Sequence, residues 1–165
     1  MIRVLRMGHR PLRDKRVTTH VCLVARAFGA EEVIIDRKDE TLKKSMEKVV
    51  GQWGGDFRIS FGSPKKVVDD FEGVIVHLTM YGMPLEGEIS NIKRKDVLVV
   101  VGAEKVPSWV YEAADFNVSV TNQPHSEIAA LALFLDRYFE GKELNASFEG
   151  KLSIVPSRKG KIFKR

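Results

Sequence analysis

Apolar residues recur along this chain in two alternating rhythms. Short runs, with a period of two or unbroken, give way to longer stretches at helical spacing. Met1 to Leu5 reads as a strand, turned by Gly8-His9-Arg10-Pro11 at a polar, basic tip. The charge run Arg13-Asp14-Lys15-Arg16 leads to Thr18 and Thr19, expected caps for a helix over His20 to Phe28, which Gly29 stops. Glu32 to Asp36 is a second strand. Asp39 or Thr41 then caps a helix to about Val50, carried by Leu42, Met46, Val49 and Val50 and broken by Gly51, Gly54 and Gly55. Phe57 to Phe61 alternates as a strand, and Ser63 with Pro64 opens a short helix to Phe71. Val74 to Leu78 and Val97 to Val101 are continuous apolar runs, the pattern of central parallel strands, joined by a Gly/Pro-rich connection. Pro107 opens a helix over Ser108 to Ala114. Phe116, Val118 and Val120 alternate as a last strand, and a long apolar helix starts near Glu127.

Strands alternating with helices predict an α/β domain with a mainly parallel sheet flanked by helices. Such sheets bind ligands outside the carboxyl ends of their strands. Three loops qualify: Thr79 to Gly82, Gly102 to Pro107, and Thr121 to Ser126. They follow consecutive strands, so they are expected side by side. The third loop places an amide pair, an imidazole and a hydroxyl between two elements that read as buried, which points to a ligand. No dinucleotide or P-loop glycine fingerprint is present, nor a nucleophile elbow. His9, His20, His77 and His125 lack metal-ligand spacing, and no cysteine pair supports a zinc site. His77, within an apolar strand, reads as a structural histidine. What remains are loops rich in main-chain donors and acceptors, whose glycines let the backbone approach a ligand closely. They suit a neutral, aromatic or zwitterionic cofactor held largely by main chain.

Composition narrows the class. The chain has 165 residues, 44% of them hydrophobic and 30% charged, which fits one folded soluble domain. No apolar run reaches membrane-spanning length. The N-terminus MIRVLRMGHRPLR lacks the apolar segment of a signal peptide, so a cytoplasmic location is expected. The single Cys22, inside an apolar segment, reads as a small buried hydrophobe in a reducing compartment. Charge is uneven: residues 1–28 and residues 151–165 each carry +6, leaving −7 between them. Two basic ends suggest a polyanion-binding surface where the fold brings them together. Residues 142–165 are expected as a basic extension of the 1–141 domain. Leu152 to Arg165 forms either a hairpin around Pro156 to Gly160 or an arm ordered by RNA.

The segments GHRPLRDKRVTTHV, ARAFGA, LTMYG, VVVGAEKVP and NQPHSEIAALALFLDR take the reading further. In order and spacing, from about Arg3 to Arg137, the chain resembles the archaeal tRNA ribose 2′-O-methyltransferases that modify cytidine 56 in the T loop. These are S-adenosylmethionine-dependent enzymes of the SPOUT class. The resemblance implies a C-terminal deep trefoil knot formed by the three loops. It also implies that S-adenosylmethionine would be held by Leu78 and Gly82, by Gly102, Ala103, Glu104, Lys105 and Val106, and by the segment Val120, Thr121, Asn122, Gln123, Pro124, His125, Ser126 and Glu127. Enzymes of this class are homodimers through the knot helices. The run Ile128 to Leu135, apolar nearly all round, suits an interface; the alternative is a core helix of a monomer.

Methyl transfer to a ribose hydroxyl needs a group that stabilises charge on oxygen or removes its proton. Relatives use an arginine in the first motif. Aligning on Phe28-Gly29 puts Leu23 at that position here, so the role is expected to pass to Arg16, with Arg10 and Arg26 as lesser candidates. A guanidinium does not normally deprotonate, so Arg16 would position a phosphate or oxyanion. His20 or His9 would take the proton; each is equally readable as an RNA contact or a helix-start residue. The basic ends would contact tRNA phosphates. Two other classes stay open: a non-catalytic RNA-binding α/β module, and a different small-molecule enzyme of the α/β class.

Overall fold

In the computed structural model, which describes residues 1–93, 95–103 and 105–164, the short strand-like apolar runs enter one parallel sheet. Its strands are β1 (Ile2–Arg6), β2 (Glu32–Ile35), β3 (Arg58–Phe61), β4 (Val74–Pro84), β5 (Val97–Val101) and β6 (Phe116–Ser119). They lie in the order β3-β2-β1-β5-β4-β6. β5, buried along its whole length, lies between β1 and β4, with Leu5 opposite Val100 and Val100 opposite His77. Unbroken burial is why it reads VLVVV without alternation.

Helices cover both faces: α1 (Lys15–Ala27), α2 (Glu40–Trp53), α3 (Pro64–Asp69), α4 (Leu85–Ile92), α5 (Ser108–Ala113) and α6 (Glu127–Phe139). Successive strand residues point to opposite faces. Val4, Val33, Val99 and Val101 pack with α1, α2, α4 and α6 on one side. Leu5, Ile34, Leu98 and Val100 pack with Val68 of α3 and Val110 of α5 on the other. Each such buried aliphatic contributes roughly 1.5–3 kcal/mol.

Three elements differ from the sequence expectation. α1 starts at Lys15 behind Asp14, so the charge run is its first turn. Thr18 and Thr19 lie inside it: Thr18 is buried, and the Thr19 hydroxyl donates to the Lys15 carbonyl at 2.7 Å. α2 is capped by Asp39, which accepts from Leu42 N at 2.9 Å. It runs through Gly51 to Trp53 and ends at Gly54, where φ is +81°. α4 occupies the stretch expected as a Gly/Pro-rich connection. Leu85, Ile89 and Ile92 give it a buried stripe, and Gly87, with nothing within 4 Å of its would-be Cβ, faces open space.

β4 continues past Leu78, and its second half wraps the neighbouring strand. Val118 pairs with Leu78 and again with Met83, and Ser119 pairs with Pro84. A strand residue has two hydrogen-bonding edges, so Leu78 and Met83 flank Val118 from opposite sides. At Gly82 the wrap touches β6 directly: a Cβ there would sit 2.5 Å from the Asn117 carbonyl. The Asn122 amide donates to the carbonyls of Met80 and Gly82 at 2.7 and 3.1 Å, closing the turn over β6.

After α6 and a 3-10 turn (Lys142–Asn145), β7 (Ser153–Val155) and β8 (Ile162–Lys164) form an antiparallel hairpin. Leu152 N donates to the Gln52 carbonyl at 3.0 Å, Phe163 lies 6.3 Å from the Trp53 ring, and Arg26 stacks over Phe148 at 4.7 Å. Among the described residues no helix is long and apolar enough to cross a membrane.

Candidate functional site

The carboxyl ends of β1, β5 and β4 open on a cavity of about 440 Å³. That lies within the usual range of small-molecule sites, roughly 300–1,000 Å³. Arg6, Arg10, Arg13, Asp14 and Val17 line it from the β1–α1 segment, and His77 to Tyr81 from β4. Gly102, Ala103 and Val106 come from the β5 loop, Tyr111 from α5, and His125, Glu127 and Ala130 from the entry into α6. Gly8, at φ +76°, lets the first loop lie against the second, since a Cβ there would sit 2.7 Å from Ala103 Cβ. A Cβ on Gly102 would strike Val106, so only glycine keeps that loop folded on itself.

Arg6 sits at the cavity floor, wholly buried. Its Nη1 donates to the Gly102 carbonyl at 2.8 Å and its Nη2 to Glu127 Oε1 at 3.4 Å, so one guanidinium links three segments of the site.

The β1–α1 loop above it is held by acids from the β2–α2 connection. Asp36 accepts from Gly8 N at 2.6 Å and His9 N at 3.0 Å. His9 is wholly buried, with Nδ1 2.8 Å from Thr18 Oγ1 and Nε2 3.2 Å from Asp39 Oδ2. Burial works to raise the Asp39 carboxyl, but the Leu42 amide and His9 outweigh it and leave it lowered. Both ring nitrogens of His9 are therefore engaged inside the protein, where the ring braces the loop against α1 and the β2–α2 connection. Asp14, held by the Arg10 guanidinium at 2.6 Å, is also lowered.

A second polar chain lies under β4. His77 Nδ1 is 2.9 Å from Asn117 Oδ1, Asn117 Nδ2 donates to the Tyr111 carbonyl at 2.9 Å, and the Tyr111 and Thr79 hydroxyls are 3.2 Å apart. Burial lowers the His77 imidazole, with Asn117 partly opposing. The structural reading of this histidine fits its place. Cys22 is buried as well, and burial pushes its thiol up to about 12.

Of the residues singled out for the cofactor, Leu78, Gly102, Ala103, Val106, His125 and Glu127 line the cavity. Gly82 and Asn122 instead close the wrap over β6, Val120 packs on the core, and Ser126 caps α6 by accepting from Ile128 N. Thr121, Gln123, Pro124 and Lys105 are exposed beside it. Glu104 lies outside the described residues. Of the catalytic candidates, Arg10 lines the cavity; Arg16 and His20 sit on the exposed side of α1 and do not. Arg6, Arg13 and Tyr111 were not singled out, and Thr79 only as the first residue of a candidate loop. Arg6, a charge at the end of an apolar strand, reads as solvent-facing in sequence, whereas Arg13 could have been found from its place in the turn before the helix. Thr79 and Tyr111 meet only through the sheet order. Among the described residues no group of three or more His, Cys, Asp or Glu side chains could hold a metal ion.

Comparison with known proteins identifies the family and the fold. Residues 53–164 match the family model described as tRNA ribose 2′-O-methyltransferase, aTrm56. Proteins named tRNA (cytidine(56)-2′-O)-methyltransferase match almost the whole chain. That of Picrophilus torridus is 58% identical over 99% of this chain and 49% of its own length. Those of Thermofilum pendens and Thermococcus kodakarensis are 53% and 57% identical, each over 98% of this chain, and over 94% and 95% of their own lengths. The chain thus spans about half of the first relative and nearly all of the other two. Among solved structures, the SpoU methyltransferase AviRb of Streptomyces viridochromogenes, in complex with AdoMet, superposes with TM-score 0.62 at 14% identity. It covers 85% of this chain and 57% of its own. The A. aeolicus TrmH/SpoU tRNA modifying enzyme gives 0.58 at 13% identity, over 87% and 75%. At these identities the likeness is one of fold.

Proposed function

Because the chain belongs to the aTrm56 family of tRNA ribose 2′-O-methyltransferases, we propose that it methylates the ribose 2′-hydroxyl of cytidine 56 in the tRNA T loop, with S-adenosylmethionine as donor. The observation that carries this reading is the cavity at the carboxyl ends of β1, β4 and β5, lined by Gly102, Ala103 and apolar side chains together with Arg10 and Arg13.

The residues present fit the donor. Gly102 and Ala103 offer backbone groups, while Leu78, Val106 and Ala130 offer apolar surface. Bound there, S-adenosylmethionine would supply an electrophilic methyl group on a sulfonium. The chain has two further tasks, to offset charge developing on the ribose oxygen and to take its proton. The guanidiniums of Arg10 and Arg13 line the cavity to do the first. For the second, His125 lines the cavity with Nδ1 donating to the Gln123 carbonyl at 2.6 Å, which leaves Nε2 as the ring nitrogen free to meet the substrate.

Arg16 and His20, one turn apart on the exposed side of α1, are assigned to RNA contacts, with the exposed Arg158, Lys159, Lys161 and Lys164 of the hairpin. An acceptor 2′-hydroxyl selects RNA over DNA. The wrap of residues 79–84 around β6 supports the deep trefoil knot that the family resemblance implies. α6 buries Ala130, Leu131, Phe134 and Leu135, yet Leu133 stays exposed, as do Tyr81 and Met83 of the wrap. A homodimer would cover this apolar surface. The protein is assigned to the cytoplasm, with its substrate.

The test is transfer of a labelled methyl group from S-adenosylmethionine into tRNA, followed by nucleoside analysis. Label in the ribose of the T-loop cytidine is expected. Tight tRNA binding without cofactor binding or transfer would leave the RNA-binding module in its place.

A further inference from the structure

Leu12 stands fully in solvent, at 104% of its reference exposure. A single exposed leucine is ordinary on a protein surface; the support beneath this one is not. The turn that carries it is closed at its base, where Arg13 N and Asp14 N both donate to the Arg10 carbonyl, at 3.0 and 2.7 Å. Arg10 Nε donates to Asp14 Oδ2 at 2.6 Å and ties the two sides a second time. Pro11 fixes the backbone just before the tip. Behind the turn, Asp36 grips the amides of Gly8 and His9, and the buried His9 ring is held between Thr18 and Asp39. An apolar side chain is thus presented to water on a braced mount. Arg10 and Arg13, on either side of it, both line the cavity.

A folded tRNA loop keeps its nucleotides stacked, and the target ribose must turn out of the stack to enter a concave site. Unstacking is unfavourable, and proteins offset it by inserting an apolar side chain into the gap. Resting on the reading of the chain as a tRNA ribose methyltransferase, we propose that Leu12 is such a wedge. It enters the T-loop stack and fills the place of the target nucleotide, whose ribose turns into the cavity that Arg10 and Arg13 line.

Two measurements test this. In the first, Leu12→Ala and Leu12→Met are compared with the native protein on whole tRNA and on a short unstructured RNA carrying the same T-loop sequence. Leu12→Ala is expected to lower kcat/KM on whole tRNA by on the order of tenfold more than on the short RNA, with Leu12→Met restoring most of the difference. In the second, 2-aminopurine is placed beside the target nucleotide of whole tRNA. Its fluorescence is expected to rise when the native protein binds and to stay low with Leu12→Ala. Equal losses on both RNAs, or a fluorescence rise kept by Leu12→Ala, overturns the wedge. So does a shift of Leu12→Ala to a smaller species in sedimentation, which would show that a second copy of the chain covers the leucine. A native protein that methylates neither RNA overturns the methyltransferase reading instead, and the fluorescence arm still decides the wedge.

Discussion

Arg6 and Gly102, 96 residues apart in sequence, are joined at the cavity floor by a hydrogen bond of 2.8 Å from Nη1 to the carbonyl. The bond sets the height of the loop whose main chain is assigned to the cofactor. Arg6→Met keeps the volume but leaves the Gly102 carbonyl and the Glu127 carboxylate without this partner. An unpartnered buried acceptor costs about 1–3 kcal/mol. The Kd for S-adenosylmethionine is expected to rise about tenfold, equivalent to about 1.4 kcal/mol. Calorimetric titration measures it; an unchanged Kd removes Arg6 from the cradle.

Arg13 and Arg16 separate by position. Arg13 lines the cavity, and Arg16 stands on the outer side of α1. Arg13→Ala is expected to lower kcat on the order of a hundredfold, the scale of a lost oxyanion contact. Arg16→Ala is expected to raise KM for tRNA and to reduce the salt slope of binding by about one. If Arg16→Ala instead abolishes kcat while Arg13→Ala spares it, the oxyanion role returns to Arg16.

Two glycine substitutions have opposite signs. Gly82→Ala puts a methyl 2.5 Å from the Asn117 carbonyl, against backbone that cannot turn aside, and should destabilise by roughly 3 kcal/mol or more. Gly87→Ala, in α4 with nothing within 4 Å, should stabilise by about 0.5–1 kcal/mol. Urea midpoints for the two variants check both directions.

Burial lowers the His77 imidazole below its ordinary 6.5. The unfolded chain therefore takes up this proton first as pH falls. His77 contributes no pH dependence above about 6.5, then a loss of stability that grows below it until the lowered folded value is passed. Thermal unfolding of native protein and His77→Gln, followed from pH 7.5 to 5, should show a flatter acid limb in the variant. Parallel limbs would contradict the burial argument.

Strand identity was legible because Val and Ile runs announce burial, and β5 falls on the residues its pattern predicts. Local chemistry misled at α1, whose threonines resemble caps but bond inward and along the helix. It hid α4 as well, where Pro84 and Gly87 look like a connection although Leu85, Ile89 and Ile92 keep helical spacing. The convergence of three loops followed from strand succession. The arginine roles did not, since they depend on which side of a turn each side chain leaves. Arg6 shows the limit most clearly: as a strand-end charge it suggests solvent, and only the sheet order places Gly102 and Glu127 around it.

β6 is the last strand of the sheet, and such borders invite foreign strands to add on, the first step of aggregation. Here the invitation is withdrawn by the chain itself, because Met83 and Pro84 already occupy the far side of Val118 and Ser119. The opposite border, β3, is only four residues long and begins with the exposed Arg58. Short length and an outward charge discourage recruitment there too. The strand wrap that helps line the cavity thereby also seals one rim of the sheet, a form of self-protection for a protein with so apolar a centre.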